Sequence, residues 1–273
     1  MKNDFKESAR TMIKIITGKN NVFFTNRCNE SIRLALEVGL KDGRTHALIQ
    51  DEGGWLTYKK LAKKAGYDLT KIVTNDGLIN PKELDHYGFD EVLLVNSLAG
   101  YIAMQDMSSI HSYCLKNNIL LINDISGSIG SPEAKLGDLI IGSFGNAKPI
   151  DLGVGGFIAF DDDYLELFNK VIVDLEEPII EYSVLVEKLK GLDSRISFLK
   201  EKVSLIKQDL KDKPIVHKND GSALNVVVRF KNSSEREELE SYCRENNLEF
   251  TVCPREIRIN DDAISIEVKR LKN

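Results

Sequence analysis

The chain has 273 residues, of which 42% are hydrophobic, 29% charged and 7% aromatic, with only six prolines. That is enough apolar material for a sizeable core, and it excludes a disordered or low-complexity chain. Lys and Arg number 37 against 42 Asp and Glu, so 37 − 42 leaves −5, without the cationic excess of a phosphate-backbone binder.

The start, MKNDFKESARTMIKIITGKNN, mixes charges among its apolar residues and shows no continuous leader-type apolar run. No stretch approaches the roughly 18 apolar residues that span a bilayer. Cys28, Cys114, Cys243 and Cys253 show no CxxC spacing and read as reduced thiols, and no metal is expected. The expectation is a soluble cytoplasmic α/β protein with no membrane partner; nucleic acid is not an expected partner.

In chain order, FFTNRCNESIRLALEVGL opens a helix near Cys28 after Thr25 and Asn26. A helix N-terminus can hold an anion, to which Thr25, Asn26 and Arg27 add donors; an ordinary N-cap explains the same residues. Strands are predicted at Ala47–Gln50, Lys71–Thr74, Glu91–Asn96, Ile119–Asn123, Leu139–Phe144 and Gly156–Phe160, with helical segments at Trp55–Ala65, Pro81–Tyr87 and Met104–Asn117. Val92–Val95 and Ile119–Ile122 are continuously apolar, as in strands covered on both faces. Strands alternating with helices imply a mostly parallel sheet. The link between the last two strands, residues 145–155, is too short and too rich in Gly and Pro for a crossover helix, so these two are expected to be antiparallel.

A helical region follows to about Leu210, broken near Glu177-Pro178, with a connector helix at Tyr182–Leu210. The pattern then gives strand (Leu224–Phe230), helix (Ser233–Asn247) and short strands at Phe250–Val252, Glu256–Ile259 and Ala263–Val268. The expected organisation is a large α/β domain over residues 1–178, then a connector helix and small C-terminal α+β domain over 179–273.

Three further features carry chemistry. Trp55 is the only tryptophan, placed after a strand, and reads as a stacking platform or as core. Asp124 directly follows an apolar strand, with Ser126, Gly127, Ser128 and Gly130 in the loop after it. Ligands of parallel α/β sheets bind outside the carboxyl ends of strands, although an Asp there can also cap a turn. Lys148 lies between two apolar strands in GSFGNAKPIDLGVGG, and an apolar wall would lower its amine pKa, as an imine-forming nucleophile requires. GSFGNAKP lacks the Gly-Lys-Ser/Thr ending of a Walker loop, and GVGG precedes a strand, so neither is a nucleotide-phosphate loop.

Together these elements resemble the fold-type I pyridoxal-phosphate enzymes, most closely the DegT/StrS-type sugar aminotransferases. Ser143-Phe144 precedes Lys148 by five and four positions, and Gly155-Gly156 follows at plus seven and plus eight, as in that family. Ile119–Gly130 matches its strand–Asp–small-loop element, and Trp55 its ring-stacking aromatic; Thr25–Asn29 is a loose counterpart of its phosphate element. The resemblance covers about residues 21–161. Departures are Gly127 where the family usually has His or Gln, Arg27 and Cys28 in place of a small Gly-Thr pair, and shorter ends.

The resemblance implies a fold-type I PLP-transferase large domain with helices on both faces of its sheet. It makes pyridoxal 5'-phosphate the cofactor and Lys148 the Schiff-base lysine. Asp124 would partner the pyridine nitrogen, and Thr25, Asn26, Arg27, Cys28, Trp55, Ser126 and Ser143 would contact the cofactor. Arg255 or Arg258 would take a substrate carboxylate. The implied activity is amino transfer from a small-molecule donor to a keto or keto-sugar-like acceptor, in a homodimer. Another PLP reaction (a lyase, or a tRNA-linked seleno- or sulfo-transfer) and a non-catalytic PLP-binding homologue are the alternatives.

Overall fold

In the computed structural model, which describes residues 2–88, 90–172, 176 and 178–272, helix α1 (Lys2–Thr17) leads into strand β1 (Asn21–Thr25) and helix α2 (Cys28–Lys41). Strand β2 (His46–Gln50), helix α3 (Tyr58–Ala65) and strand β3 (Asp68–Ile72) follow, then a two-stranded ribbon, β4 (Thr74–Asn75) with β5 (Leu78–Ile79). After β6 (Glu91–Asn96) a second ribbon forms, β7 (Leu98–Ala99) with β8 (Ala103–Met104). Helix α4 (Met107–Lys116), strands β9 (Leu120–Asp124), β10 (Leu139–Ser143) and β11 (Gly156–Phe160), and helix α5 (Leu165–Asn169) complete this part.

The main sheet has seven strands in the order β1-β11-β10-β9-β6-β2-β3. Strands β10, β9, β6, β2 and β3 pair in parallel, while β11 runs antiparallel to both β10 and β1. Antiparallel pairing on both sides of β11 turns β1 the same way as the parallel set. The carboxyl ends of β1, β9 and β10 therefore share one edge, and the chain between β10 and β11 is delivered to it.

Every residue of β6 and β9 is buried, and side-chain alternation feeds two layers. Val92 and Leu94 join Leu120 and Ile122 on the α2–α3 face, while Leu93 and Val95 join Leu121 on the α4 face. The strand ends grow polar at Asn96, Asn123 and Asp124, which is where the apolar sandwich stops and a site can begin.

Helix α6 (Tyr182–Lys190) returns against α1, and helix α7 (Leu192–Asp209) leads to a three-stranded antiparallel sheet. That sheet has the order β12 (Val226–Arg229), β14 (Ala263–Ile266), β13 (Phe250–Cys253), with helix α8 (Ser233–Glu245) packed on it. Its core joins Leu199, Val203 and Ile206 of α7 to Leu239 and Cys243 of α8, and takes in Leu98 and Tyr101 from the second ribbon.

Several expectations change. Neither α1 nor β1 was anticipated. Helix α3 begins at Tyr58, and α4 begins at Met107 because Asp106 Oδ1 caps Ser109 N at 3.0 Å. Pro81–His86 is a 3-10 turn capped by Asn80. The third parallel strand ends at Ile72, before the β4–β5 turn with positive φ at Asp76 and Gly77. The connector divides at Gly191 into α6 and α7. Glu256–Ile259 is not a strand: Arg258 N donates to Arg255 O at 2.7 Å and Arg255 N to Ile259 O at 2.8 Å, closing a tight turn. Of the expected break at Glu177-Pro178, Glu177 lies outside the described residues. No described helix is long and apolar enough to cross a membrane.

Candidate active site

A cavity of about 730 Å³ opens at the carboxyl edge of the main sheet, in the size range of small-molecule sites. Arg27, Cys28, Trp55, Asp124, Ser126, Ser143 and Lys148 all line it. Its far wall comes from the turns that follow β13 and β14 and includes Arg255, Arg258 and Lys269.

Asp124 closes β9 and is 3% exposed. Its Oδ1 accepts from Ser126 N at 2.9 Å, and its Oδ2 accepts from the Tyr58 hydroxyl at 2.6 Å. A carboxylate has about four acceptor directions, so with two in use Asp124 keeps capacity for a further donor from the cavity. Burial, with the Asp124 charge beside it, pushes the Tyr58 phenol up, so Tyr58 serves as a neutral donor. Cys28 is pushed up by burial and by Asp124, and stays a thiol. Its Sγ lies 3.9 Å from Ser126 Oγ.

The loop carrying Lys148 is pinned at both ends. Phe144 N donates to Gly155 O at 3.0 Å, and Leu152 N donates to Phe144 O at 2.9 Å. Ala147, at φ 56°, donates its N–H to Asp151 Oδ1 at 3.1 Å, which fixes the residue before the lysine. Lys148 Nζ lies 5.2 Å from the Trp55 ring centre and 4.8 Å from that of Tyr101, and it donates to the Tyr101 hydroxyl. The expected lowering of its pKa does not occur. Burial pulls it down, but the Tyr101 oxygen and Asp124 outweigh burial and raise it.

Trp55 sits in the turn before α3, half-buried, with its indole N–H donating to Asn29 Oδ1 at 2.9 Å. That bond ties the ring to the first turn of α2. The N-cap of α2 is Arg27, with extended backbone and no capping hydrogen bond from its side chain; Glu30 N donates to Arg27 O at 2.9 Å, and Cys28 and Asn29, at the helix start, line the cavity. Gly156 makes the close approach possible: a Cβ there would come within 2.8 Å of Cys28 N and 2.9 Å of Gly142 O. Ser143 Oγ accepts from Gly145 N at 3.1 Å and faces the same cavity.

Thr25 and Asn26 are not in the cavity lining. Thr25 is fully buried, with Oγ1 donating to Arg27 O at 3.1 Å and paired with Ser31 Oγ at 2.8 Å. Asn26 accepts from Gly155 N through its carbonyl and from Ile179 N through Oδ1, both at 2.9 Å. These bonds hold the loop that leads into α2. Arg258 is likewise committed. It is 4% exposed, and its Nη2 and Nε donate to Glu267 at 2.6 and 3.1 Å. Arg255 is exposed on the cavity wall.

Sequence reasoning missed Tyr58, Tyr101 and the buried Arg258–Glu267–Lys269 cluster. Burial pushes Glu267 up, but Arg258 and Lys269 overcome it and hold the carboxyl at about 2. Burial lowers Lys269 to about 8, with Glu267 opposing and Arg258 and Lys148 adding to the fall. No spacing joins residues from a hairpin tip, a helix and the last strand, so only the fold could find them.

A model of the DegT/DnrJ/EryC1/StrS aminotransferase family matches residues 11–173, which is more than half of the chain. No curated protein matches. Among solved structures, 3-amino-5-hydroxybenzoic acid synthase superposes with a TM-score of 0.75 at 16% identity, over 97% of this chain and 85% of that one. Helicobacter pylori PseC, an aminotransferase involved in the biosynthesis of pseudoaminic acid, gives 0.73 at 14% identity over 96% and 85%. E. coli GDP-4-keto-6-deoxy-D-mannose-3-dehydratase with bound hydrated PLP gives 0.74 at 13% over 96% and 87%. These likenesses establish the fold-type I PLP-transferase architecture. With the family match and the site lying at the expected edge, the chain belongs to the DegT/DnrJ/EryC1/StrS aminotransferase family.

Proposed function

We propose that this chain transfers an amino group from a small-molecule amino donor to a keto or keto-sugar-like acceptor, using pyridoxal phosphate held on Lys148. The observation that carries the reading is the convergence in one cavity of a half-buried lysine amine, a buried strand-end carboxylate, an indole and a helix start with no side-chain cap. That set fits the cofactor part by part: an amine for its aldehyde, a carboxylate for its ring nitrogen, a plane for its ring and N–H donors for its phosphate.

Pyridoxal phosphate, when bound, supplies an electron sink for the bond broken at the donor's α-carbon. Lys148 Nζ would be the amine that holds the cofactor's aldehyde and the base positioned to move the donor's α-carbon proton. Asp124, fixed by Ser126 N and Tyr58, holds a proton on the ring nitrogen. Trp55, tied to Asn29, keeps the ring plane. The start of α2 with Arg27, Cys28, Ser126 and Ser143 surrounds the phosphate end. Arg255 is the cation that meets a substrate carboxylate, since Arg258 is spent on Glu267.

The reading extends to a homodimer in the cytoplasm; cysteines free of disulfides among the described residues favour a reducing compartment. It also divides the chain at 178/179, with the C-terminal sheet, α7 and α8 sharing an apolar cluster that includes Leu98 and Tyr101, while α6 packs on α1 of the first part. The test is a single-turnover panel in which protein loaded with pyridoxal phosphate meets glutamate and other amino donors. Release of pyridoxamine phosphate and a keto acid is expected. Its absence across the panel, with Lys148 loaded, overturns amino transfer.

A further inference from the structure

Tyr101 is unlike the other residues around Lys148. It lies at the turn of the β7–β8 ribbon, 2% exposed, with φ of 65°. A bulky side chain keeps that left-handed conformation only where its surroundings over-determine it. Here they do. Tyr101 N donates to Leu98 O at 3.1 Å, and Tyr101 O accepts from Leu224 N at 2.8 Å and Asn225 N at 3.0 Å. The ring fills the space above Gly127, where an added Cβ would lie 2.9 Å from the Tyr101 Cε1 atom. Its faces meet Lys269 Nζ at 4.9 Å and the Arg258 guanidinium at 5.5 Å from the ring centre. Glu267 binds both of those cations. What this arrangement delivers to the cavity is one hydroxyl, on Lys148 Nζ.

We propose that Tyr101 is the positioning residue of Lys148, its phenol oxygen holding Nζ at the wall that Gly127 leaves open until a ligand displaces the bond. The inference deepens the proposed function and rests on Lys148 being the working amine there. The groups facing Nζ are few. Tyr101 and Asp124 favour the ammonium, whereas burial and Lys269, from the C-terminal side, favour the neutral amine. Removing the hydroxyl therefore shifts the balance toward the free amine. Because the Tyr101 carbonyl is held by Leu224 and Asn225, the hydroxyl's position also depends on how the C-terminal sheet is seated.

The test uses the cofactor-free chain. Trace acetic anhydride labels lysine amines across a pH series, and peptide mass spectrometry gives the midpoint for Lys148, with exposed Lys60 as internal control. Tyr101→Phe keeps the ring and its packing; the Lys148 midpoint falls and that of Lys60 stays. An unchanged or raised Lys148 midpoint overturns the proposal, because a merely structural tyrosine would leave it in place. Gly127→Ala is the second variant: its Cβ displaces the ring, so the same fall is expected with Tyr101 intact, and no fall counts against the proposal. Should Tyr101→Phe not fold, Gly127→Ala decides by that readout. The labelling needs no cofactor, so failure of pyridoxal phosphate to attach at Lys148 is a separate result.

Discussion

Replacing Glu267 with Gln puts the buried charge cluster to a quantitative test. Glu267 is 2% exposed and accepts from Arg258, from Lys269 Nζ at 3.2 Å, from Ser265 Oγ at 3.0 Å and from Asn225 Nδ2 at 3.2 Å. Its carboxyl titrates at about 2 in the fold against an ordinary value of 4.5. At about 1.4 kcal/mol per pH unit, the charged form contributes roughly 3 kcal/mol of folding free energy. Gln keeps the shape but leaves Arg258 buried beside a neutral amide, and a broken buried pair costs about 3–5 kcal/mol. Lys269 can relieve part of this by losing its proton, so the lower end applies. The assay is urea unfolding at pH 7 followed by circular dichroism; a thermal scan should fall by very roughly 2–4 °C per kcal/mol. Because the folded carboxyl titrates below the unfolded one, its contribution is complete above pH 4.5 and is lost as pH falls toward 2. The gap between wild type and Glu267→Gln should close over that window. A loss under about 1 kcal/mol at pH 7, or a gap independent of pH across it, refutes the reasoning.

Gly156→Ala drives a Cβ against Cys28 N and Gly142 O, both backbone atoms, so the start of α2 must move; the expected cost is about 1–3 kcal/mol in stability, read by urea unfolding, together with weaker binding of pyridoxal phosphate in a fluorescence titration. Asp124→Asn should still attach pyridoxal phosphate at Lys148 but slow the donor half-reaction on the order of a hundredfold or more, measured by stopped-flow absorbance. By contrast, Lys71→Met, which removes the exposed ion pair to Glu256, should change stability by less than about 1 kcal/mol in the same urea assay.

What could be read from the sequence was whatever depends on short range. Val92–Val95 and Ile119–Ile122 declare themselves as strands because burial on both faces leaves no room for polar alternation. The spacing around Lys148 is legible because the antiparallel return of β11 fixes how far the loop can run. Strand β1 was invisible: NVFFT is five residues long and belongs to the sheet only through pairing with β11, more than 130 positions away. A polar pair before a helix, such as Thr25 and Asn26, serves as ligand donor or as loop brace, and their bonds to Ser31, Gly155 and Ile179 are long-range partners that no local pattern shows. The alternation at Glu256–Ile259 resembled a strand, but there Gly53 N donates to Glu256 O, and the segment closes into a turn that seats Arg258. Tyr101 carried no local signal, since its role arises where a hairpin tip meets the last sheet.

The account turns on Lys148, and one measurement addresses it directly. Purified chain is incubated with pyridoxal 5'-phosphate, reduced with borohydride, digested and mapped by mass spectrometry, alongside Lys148→Ala. The account predicts one phosphopyridoxyl group per chain, on Lys148, lost in the variant together with the visible absorbance band. Label on another lysine, or an undiminished band in Lys148→Ala, would contradict it.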